Sequence, residues 1–491
     1  MNKQQERLKI NQAHNVNQAS RITKNSFFLL VANVSDVVFA LVSVAILARY
    51  LGVEVYGQYV FIISIILVFD TISQFGMRRI IIREVSKDKE NVGKYMGSFI
   101  IIRCILSAIA FGAVAVTINI LNLSEIYKTA TYILMASQTI STFSMAFMTI
   151  FYAFEKMAYQ TIISAVNNVL GIIFIIFVVS LDLGFIPLMI AMILPNVATF
   201  FLSYILLTKK ISRPKFEFNP KQWKLLIKES YPLFIEMVFR QNFLRVDIFI
   251  IKALRSASEV ALFNAPYSLI LRLQMIPLAF TTSLFPLMSR HADTSREAFK
   301  STYVKAFKIL FNLSLPFAIA TTILADKIII IIFGINFIKS AVALKILIWM
   351  VTLMFLDSII NTVLVSLKKQ WFSAVSHAAM FIVNLILDLL LVPIYGYVGA
   401  CIGNLFAYMT RFILSYYFIS KNDITLPLDQ ILPKPLLSGA AMGVIMYFFR
   451  ELNIVATLSL GFIAYAGSAI LLGTFSKDEL GFFKKALNLR T

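Results

Sequence analysis

An all-α, polytopic membrane protein of about fourteen transmembrane helices is the fold class that the sequence predicts, and three observations predict it. Of the 491 residues, 59% are hydrophobic and only 14% charged, with a mean hydropathy of +0.82; soluble chains carry about 45–50% apolar and about 25% charged residues. The apolar runs are unbroken and about 20 residues long, enough for a helix to cross ~30 Å of hydrocarbon, whereas a barrel strand needs only about 10 alternating residues. Third, the basic residues collect in one alternate set of connections.

Taken in order, "MNKQQERLKINQAHNVNQASRITKN" (1–25) is too long and polar for a signal peptide and is expected to remain in the cytosol. Six apolar windows follow at 26–50, 56–77, 96–120, 129–154, 159–180 and 184–207, making a first lobe over 26–207. A cytosolic linker, 208–229, leads to six more at 230–251, 258–286, 303–324, 341–366, 371–393 and 397–419, a second lobe over 230–419. Two extra helices, 434–450 and 454–475, precede a cytosolic tail, 476–491. "DKIIIIIFGINF" (326–337) is too short to cross and is expected as an interfacial or re-entrant segment. Gly52, Gly57, Gly396 and Gly399 fall at interfacial turns, and Pro232, Pro266, Pro277 and Pro316 lie where they would kink spans seven to nine.

With the N-terminus inside, only Lys128, Lys252, Arg255, Lys327, Lys339 and Arg450 of the 45 basic residues lie outside the membrane on the external side. The asymmetry predicts a multi-pass protein of the cell membrane with both termini cytosolic. The net charge of +20 then reports topology and anionic lipid headgroups, so nucleic acid is not expected as a partner. Cys104 and Cys401 fall in apolar spans, and neither they nor His14, His291 and His377 show metal-ligand spacing. No cofactor or metal is expected. External loops are short and hold no nucleophile constellation, which argues against an enzyme.

The halves also repeat. "LDLGFIPLMIA" (181–191) matches "PIYGYVGACIG" (393–403), aligning Gly184 with Gly396, and "VYGQY" (55–59) matches "VALFN" (260–264). Parallel repeats of this kind place a transport site between halves near the bilayer midplane.

Three stretches carry a family likeness. "ARYLGVEVYGQYVFIISI" (48–65) with "RRIIIREVSKDKENVGKY" (78–95) resembles the opening of the polysaccharide-exporter family. "YPLFIEMVFRQNFLRVDIFIIKALRSASEVALFNAPYSLI" (231–270) resembles the start of that family's second half, and "LVPIYGYVGACIGNLFAYM" (391–409) its eleventh-to-twelfth hairpin. The likeness implies Wzx-type flippases of lipid-linked oligosaccharides, within the superfamily that includes MATE-type exporters and lipid II flippases. It further implies two pseudo-symmetric six-helix lobes around a central cavity, two extra C-terminal helices, and bending of the first and seventh helices during alternating access.

Charges inside the spans are the candidate functional residues, because each costs several kcal/mol at bilayer depth unless it is paired or faces water. Counting along the spans at 1.5 Å per residue, Asp36, Arg240 and Arg272 fall near the midplane. Asp70, Arg103, Glu236, Asp357 and Arg411 fall in the inner half, and Arg245, Asp247, Lys345 and Asp388 in the outer half. In a continuous seventh helix, Glu236, Arg240, Phe243 and Asp247 would share one stripe, with Arg245 opposite Glu236. Arg240 and Arg272 are candidates for an anionic headgroup, since guanidinium bonds phosphate bidentately, or else each neutralises a carboxylate such as Asp36 or Glu236. Asp36 is either a proton- or sodium-coupling carboxylate or the counter-ion of Arg240. Asp70 and Arg103 are expected to form a structural ion pair.

The chain thus reads first as a flippase moving a polyprenyl-(pyro)phosphate-linked oligosaccharide from inner to outer leaflet, with glycan polymerase machinery as a further partner. The alternative is a cation-coupled MATE-type small-molecule exporter, which would call for an acidic, aromatic cavity. A membrane glycan polymerase and a purely structural scaffold fit the charges less well.

Overall fold

In the computed structural model the described residues are 2–216, 219–243, 245–421 and 424–474, with side chains from Val31 onward except those of Arg240 and Asn242. Among these residues the regular structure is helical. The helices are α1 (Asn2–Gln74), α2 (Met77–Lys87), α3 (Val92–Ile120), α4 (Glu125–Ala153), α5 (Met157–Ser180), α6 (Phe185–Ala191), α7 (Ile193–Lys210), α8 (Pro220–Phe243) and α9 (Val246–Leu254). They continue as α10 (Ala257–Leu273), α11 (Met275–Thr294), α12 (Arg296–Phe333), α13 (Ser340–Ser366), α14 (Gln370–Tyr395), α15 (Tyr397–Ser420), α16 (Leu428–Ile431), α17 (Pro433–Phe448) and α18 (Ile454–Leu471). Twelve helical stretches are long and apolar enough to cross a membrane. One of them, Val31–Lys87, holds the first two expected spans, and the seventh is missing from the twelve because it is broken. The chain is an all-α polytopic membrane protein.

Glycines mark the joints. Gly52 interrupts α1 with φ 69 and ψ 176, a left-handed conformation that costs a residue without a Cβ nothing. Gly184 (φ 91) and Gly396 (φ 60), the pair aligned by the internal repeat, occupy equivalent places at the starts of α6 and α15.

Two compact units make up the chain. The first holds the residues up to Leu51 with Gln58–Arg245; the second holds Gly52–Gly57 and the chain from Val246. In the first unit, α2 buries Met77, Ile80, Ile81 and Val85, the i, i+3, i+4 face of an amphipathic helix, against Phe99, Phe147, Phe151 and Leu226. The linker preceding α8 is strapped onto α3: Lys215 N–H donates to Gly93 O at 2.8 Å, and a Cβ on Gly97 would lie 1.9 Å from Lys215 O. Leu226 and Trp223 of α8 enter the same core, so this helix belongs to the first unit.

In the second unit α13 is the most enclosed helix, packed by α10, α11, α12 and α15. Helices α17 and α18 lie on α12 through Ala320, Leu324, Met442, Met446 and Tyr465, and the Tyr465 hydroxyl bonds Asn312 Oδ1 at 3.1 Å.

Two expectations are corrected. Residues 326–333 form no separate interfacial segment; they extend α12, which runs 38 residues and ends only at Gly334 (φ 89). At 1.5 Å per residue that helix is about 57 Å long, well beyond a hydrocarbon core. The seventh span is not one helix: α8 ends at Phe243, α9 begins at Val246, and Arg245 lies in the turn between them. Glu236 is tied to Arg79 in the first unit, while Asp247 is tied to Asn384 and Asn404 in the second. Glu236 and Asp247 therefore lie on different helices, and the continuous helix that the expected stripe requires is absent.

Candidate functional site

Two polar constellations stand out, one in each unit. The first is a cavity of about 200 Å³ whose lining includes Gln74, Gly76, Arg78, Arg79, Arg103 and Glu236. It exists because the chain turns sharply between α1 and α2, with Phe75 (φ 46) and Gly76 (φ 67) both left-handed. A Cβ on Gly76 would lie 2.7 Å from Leu233 Cβ, so glycine lets α8 close against this turn, and Phe75 stacks on Phe234 beside it. No side chain caps the N-terminus of α2.

Three guanidiniums and one carboxylate face this cavity. Arg79 Nη1 lies 3.5 Å from Glu236 Oε2, with both side chains more than half exposed. Arg78 lies over the Tyr152 ring at 4.5 Å. Arg103 is buried; it donates to the Thr142 carbonyl and lies over Phe99 at 4.7 Å, and its Nε has no hydrogen-bond partner among the described residues.

Asp70 and Arg103 meet through Thr142 rather than in direct contact. The Thr142 hydroxyl donates to Asp70 Oδ1 at 2.9 Å while Arg103 takes the carbonyl of the same residue. Gln74 Nε2 and Gln138 Nε2 donate to Asp70 Oδ2 at 2.7 and 2.9 Å. Asp70 thus takes its hydrogen bonds from three neutral donors, with the Arg103 guanidinium close enough to interact with its charge. Asp36, half-buried on α1, accepts from Asn168 Nδ2 at 2.6 Å. Arg240 sits near the end of α8 with its side chain outside the described atoms.

The second constellation gathers Asp247 of α9, Asn384 and Asp388 of α14, and Asn404 of α15, all fully buried. Asn384 and Asp388 are one turn apart and share a face. Asp247 Oδ1 accepts from Asn384 Nδ2 at 3.1 Å and from Asn404 Nδ2 at 3.0 Å. The Asp247 and Asp388 carboxyl groups lie close enough to interact electrostatically. Glycine makes the approach of α15 possible, since a Cβ on Gly403 would lie 2.6 Å from Asp388 Oδ1. Five buried oxygens have no donor among the described residues: Asp247 Oδ2, both of Asp388, Asn384 Oδ1 and Asn404 Oδ1.

Two ionised carboxylates are acceptors only and cannot bond each other; a proton or a metal cation has to lie between them. Asp357, also in this unit, is the opposite case. It has its own base, with Arg411 Nη2 2.5 Å from its Oδ2. Arg272 on α10 is half-buried, and its Nε lacks a partner among the described residues.

Sequence reasoning singled out Asp247 but not the company it keeps. The signal was available in part: Asn384 and Asp388 at i, i+4 in an apolar span, and Asn404 three residues before Ala407 in the next. Arg78 and Arg79 were visible as a basic pair following Gly76, without an indication that α8 closes over them.

Comparison with known proteins fits this architecture. The family described as "Polysaccharide biosynthesis protein" matches residues 22–292, more than half of the chain, and the chain belongs to that family. A Shigella flexneri protein assigned as an O-antigen transporter is 25% identical over 404 residues, covering 78% of this chain and 94% of that one. Among solved structures, the lipid II flippase MurJ in an inward closed conformation aligns with a TM-score of 0.75 at 17% identity, over 91% of this chain and 98% of its own. An inward-facing multidrug resistance MATE transporter of the MOP superfamily aligns at 0.63 and 16% identity, over 79% and 95%. The chain is similar in fold to both.

Proposed function

We propose that this family member is a flippase that carries a polyprenyl-(pyro)phosphate-linked oligosaccharide from the inner to the outer leaflet of the cell membrane by alternating access, with both termini in the cytosol. It acts as a transporter rather than an enzyme, and the uphill part of its cycle is coupled to a proton or sodium ion. The observation that carries the coupling is the Asp247–Asp388 pair: two carboxyl groups, fully buried, with amides and no base as hydrogen-bond partners. A permanent structural pair would hold a guanidinium, as Asp357 does. A pair that instead requires a mobile cation has two states, loaded and empty, whose electrostatic energies differ by several kcal/mol. The substrate class is supported by family membership and by the O-antigen transporter relative.

The test is translocation in proteoliposomes of a fluorescent polyprenyl-pyrophosphate-linked oligosaccharide, read by an impermeant quencher, under imposed proton or sodium gradients. Flipping should depend on one gradient in the parent and lose that dependence in Asp388→Asn. Failure to move the glycolipid, with gradient-driven efflux of an organic cation instead, would favour the MATE-type exporter.

A further inference from the structure

The helices that carry the acid cluster are fastened to one another at one end. Ser256 to Glu259 has the pattern of a capping box, Ser-x-x-Glu, in which the glutamate reaches back to its own helix. Half of the box is made: Ser256 Oγ accepts from Glu259 N–H at 3.2 Å and caps α10. The Glu259 carboxylate reaches another helix, where its Oε2 accepts from the N–H of Tyr397, the first residue of α15, at 2.8 Å. Gly396 admits it, since a Cβ there would lie 2.1 Å from that oxygen. On the other side of the same turn, Arg255 Nε–H donates at 3.0 Å to the Val392 carbonyl, near the end of α14. A carboxylate thus holds a helix N-terminus and a guanidinium a helix C-terminus, the favourable sense for both dipoles.

Those helices bear the cluster. Asp388 is one turn before Val392 on α14, Asn404 two turns after Tyr397 on α15, and Asp247 in the first turn of α9, which leads directly to Arg255. The internal repeat supplies a comparison. The offset that aligns "VYGQY" with "VALFN" sets Tyr50 against Arg255, and the Tyr50 hydroxyl accepts from Gly184 N–H at 2.8 Å, at the turn equivalent to Gly396. Both units fasten this turn from the same repeat position, the first by a phenol hydroxyl and the second by an ion of each sign. The offset that aligns Gly184 with Gly396 sets Ile172, Ile176 and Met192 against Asn384, Asp388 and Asn404. The ionic fastening therefore occurs in the unit that has the acid cluster. Two carboxylates held close repel when no cation lies between them, so an empty cluster pushes α9 from α14, and the fastening opposes that movement.

We propose that Arg255 and Glu259 are positioning residues for the coupling cation: by tying the α9–α10 turn to the α14–α15 turn they set the spacing of Asp247 and Asp388, and with it the affinity of the pair. This rests on the coupling role proposed above for that pair. Arg255 and Glu259 act through the helices, from a turn or more away.

The test uses the purified full-length protein in detergent, in a Cys104→Ser background, with two readouts. The first is the concentration of sodium chloride, or of protons, that gives half of the cation-induced rise in melting temperature. Arg255→Ala with Glu259→Ala should raise it about tenfold or more, the scale on which outer partners act on the ligands of an ion. Arg255→Lys, whose ammonium can still donate to the Val392 carbonyl, should stay close to the parent. Glu259→Gln, which keeps an acceptor for Tyr397 N–H but drops the charge, should be intermediate, and it serves if the double variant fails to accumulate. Tyr50→Phe is the control in the first unit; whatever it does to the melting temperature, it should leave the half-point unchanged.

The second readout needs no cation. Cys401 is fully buried on α15, between Tyr397 and Asn404 and close to Asp247 and Asp388. Its reaction with N-ethylmaleimide should quicken severalfold in the double variant and not in Tyr50→Phe. An unchanged half-point in the double variant, an equal shift in Tyr50→Phe, or a Cys401 as protected as in the parent would each overturn the proposal. A parent that responds to neither cation refutes the coupling role alone, and the thiol then decides whether the fastening shapes the cluster.

Discussion

Asp388→Asn should leave the protein as stable as the parent or more so, although the side chain is fully buried. Asparagine keeps the volume and gains an amide that can donate to Asp247 Oδ2, an oxygen with no donor among the described residues. It also removes one of two facing negative charges, an interaction of about 4 kcal/mol for unit charges ~4 Å apart at an effective dielectric near 20. The parent recovers that energy by binding a cation, and a ligand at a hundredfold excess over its Kd stabilises by about 2.7 kcal/mol. In detergent and cation-poor buffer the variant should therefore melt above the parent. Adding sodium or protons should close the gap, raising the parent and leaving the variant unmoved.

Asp357→Asn is the matched control. Its loss strands Arg411, whose side chain is only 11% exposed, at a cost of about 3–5 kcal/mol, and pairing Asp357→Leu with Arg411→Met should recover most of it. Tryptophan fluorescence during thermal unfolding reads both series. Equal destabilisation by Asp388→Asn and Asp357→Asn, or a parent indifferent to both cations, would refute the assignment of a mobile cation.

Three further outcomes are expected. Single cysteines near Lys128, Ser256 and Arg450, in a background lacking Cys104 and Cys401, should react with an impermeant thiol reagent from outside intact cells; labelling only after lysis would invert the topology. Gly57→Ala should lower accumulation of folded protein sharply, because its Cβ would lie 1.8 Å from the Ala257 carbonyl oxygen, whereas Gly171→Ala, with nothing within 4 Å, should be neutral or stabilising by up to about 1 kcal/mol in the same expression and melting assay. Arg240→Gln and Arg272→Gln should each weaken glycolipid binding by about 10- to 100-fold if they contact the headgroup, read by titration; unchanged affinity in the double variant would exclude them from the site.

The fold was legible in the sequence because its determinants are additive and local. Apolar length sets which windows can cross, the distribution of lysine and arginine predicts the orientation, and Gly184 and Gly396 mark their turns because only glycine relaxes at those φ values. The break in the seventh span was not legible for the opposite reason. The residues around it, Phe243, Leu244, Arg245 and Val246, include neither proline nor glycine, while Pro232 lies inside α8 without ending it.

The partners on either side of the break lie far away in sequence: Arg79 for Glu236, and Asn384 with Asn404 for Asp247. The same fact hid the buried acid cluster. Asparagines carry no charge to flag them in an apolar span, and their meaning depends on α14 and α15 approaching closely enough, at Gly403, to aim them at one carboxylate. A helix-by-helix estimate of depth cannot choose among partners on other spans. That choice decides whether a buried carboxylate is bonded directly by a guanidinium, as Asp357 is, by neutral donors with a guanidinium nearby, as Asp70 is, or by a cation that comes and goes, as proposed for Asp247 with Asp388. Only the last of these can couple an ion gradient to movement of a substrate.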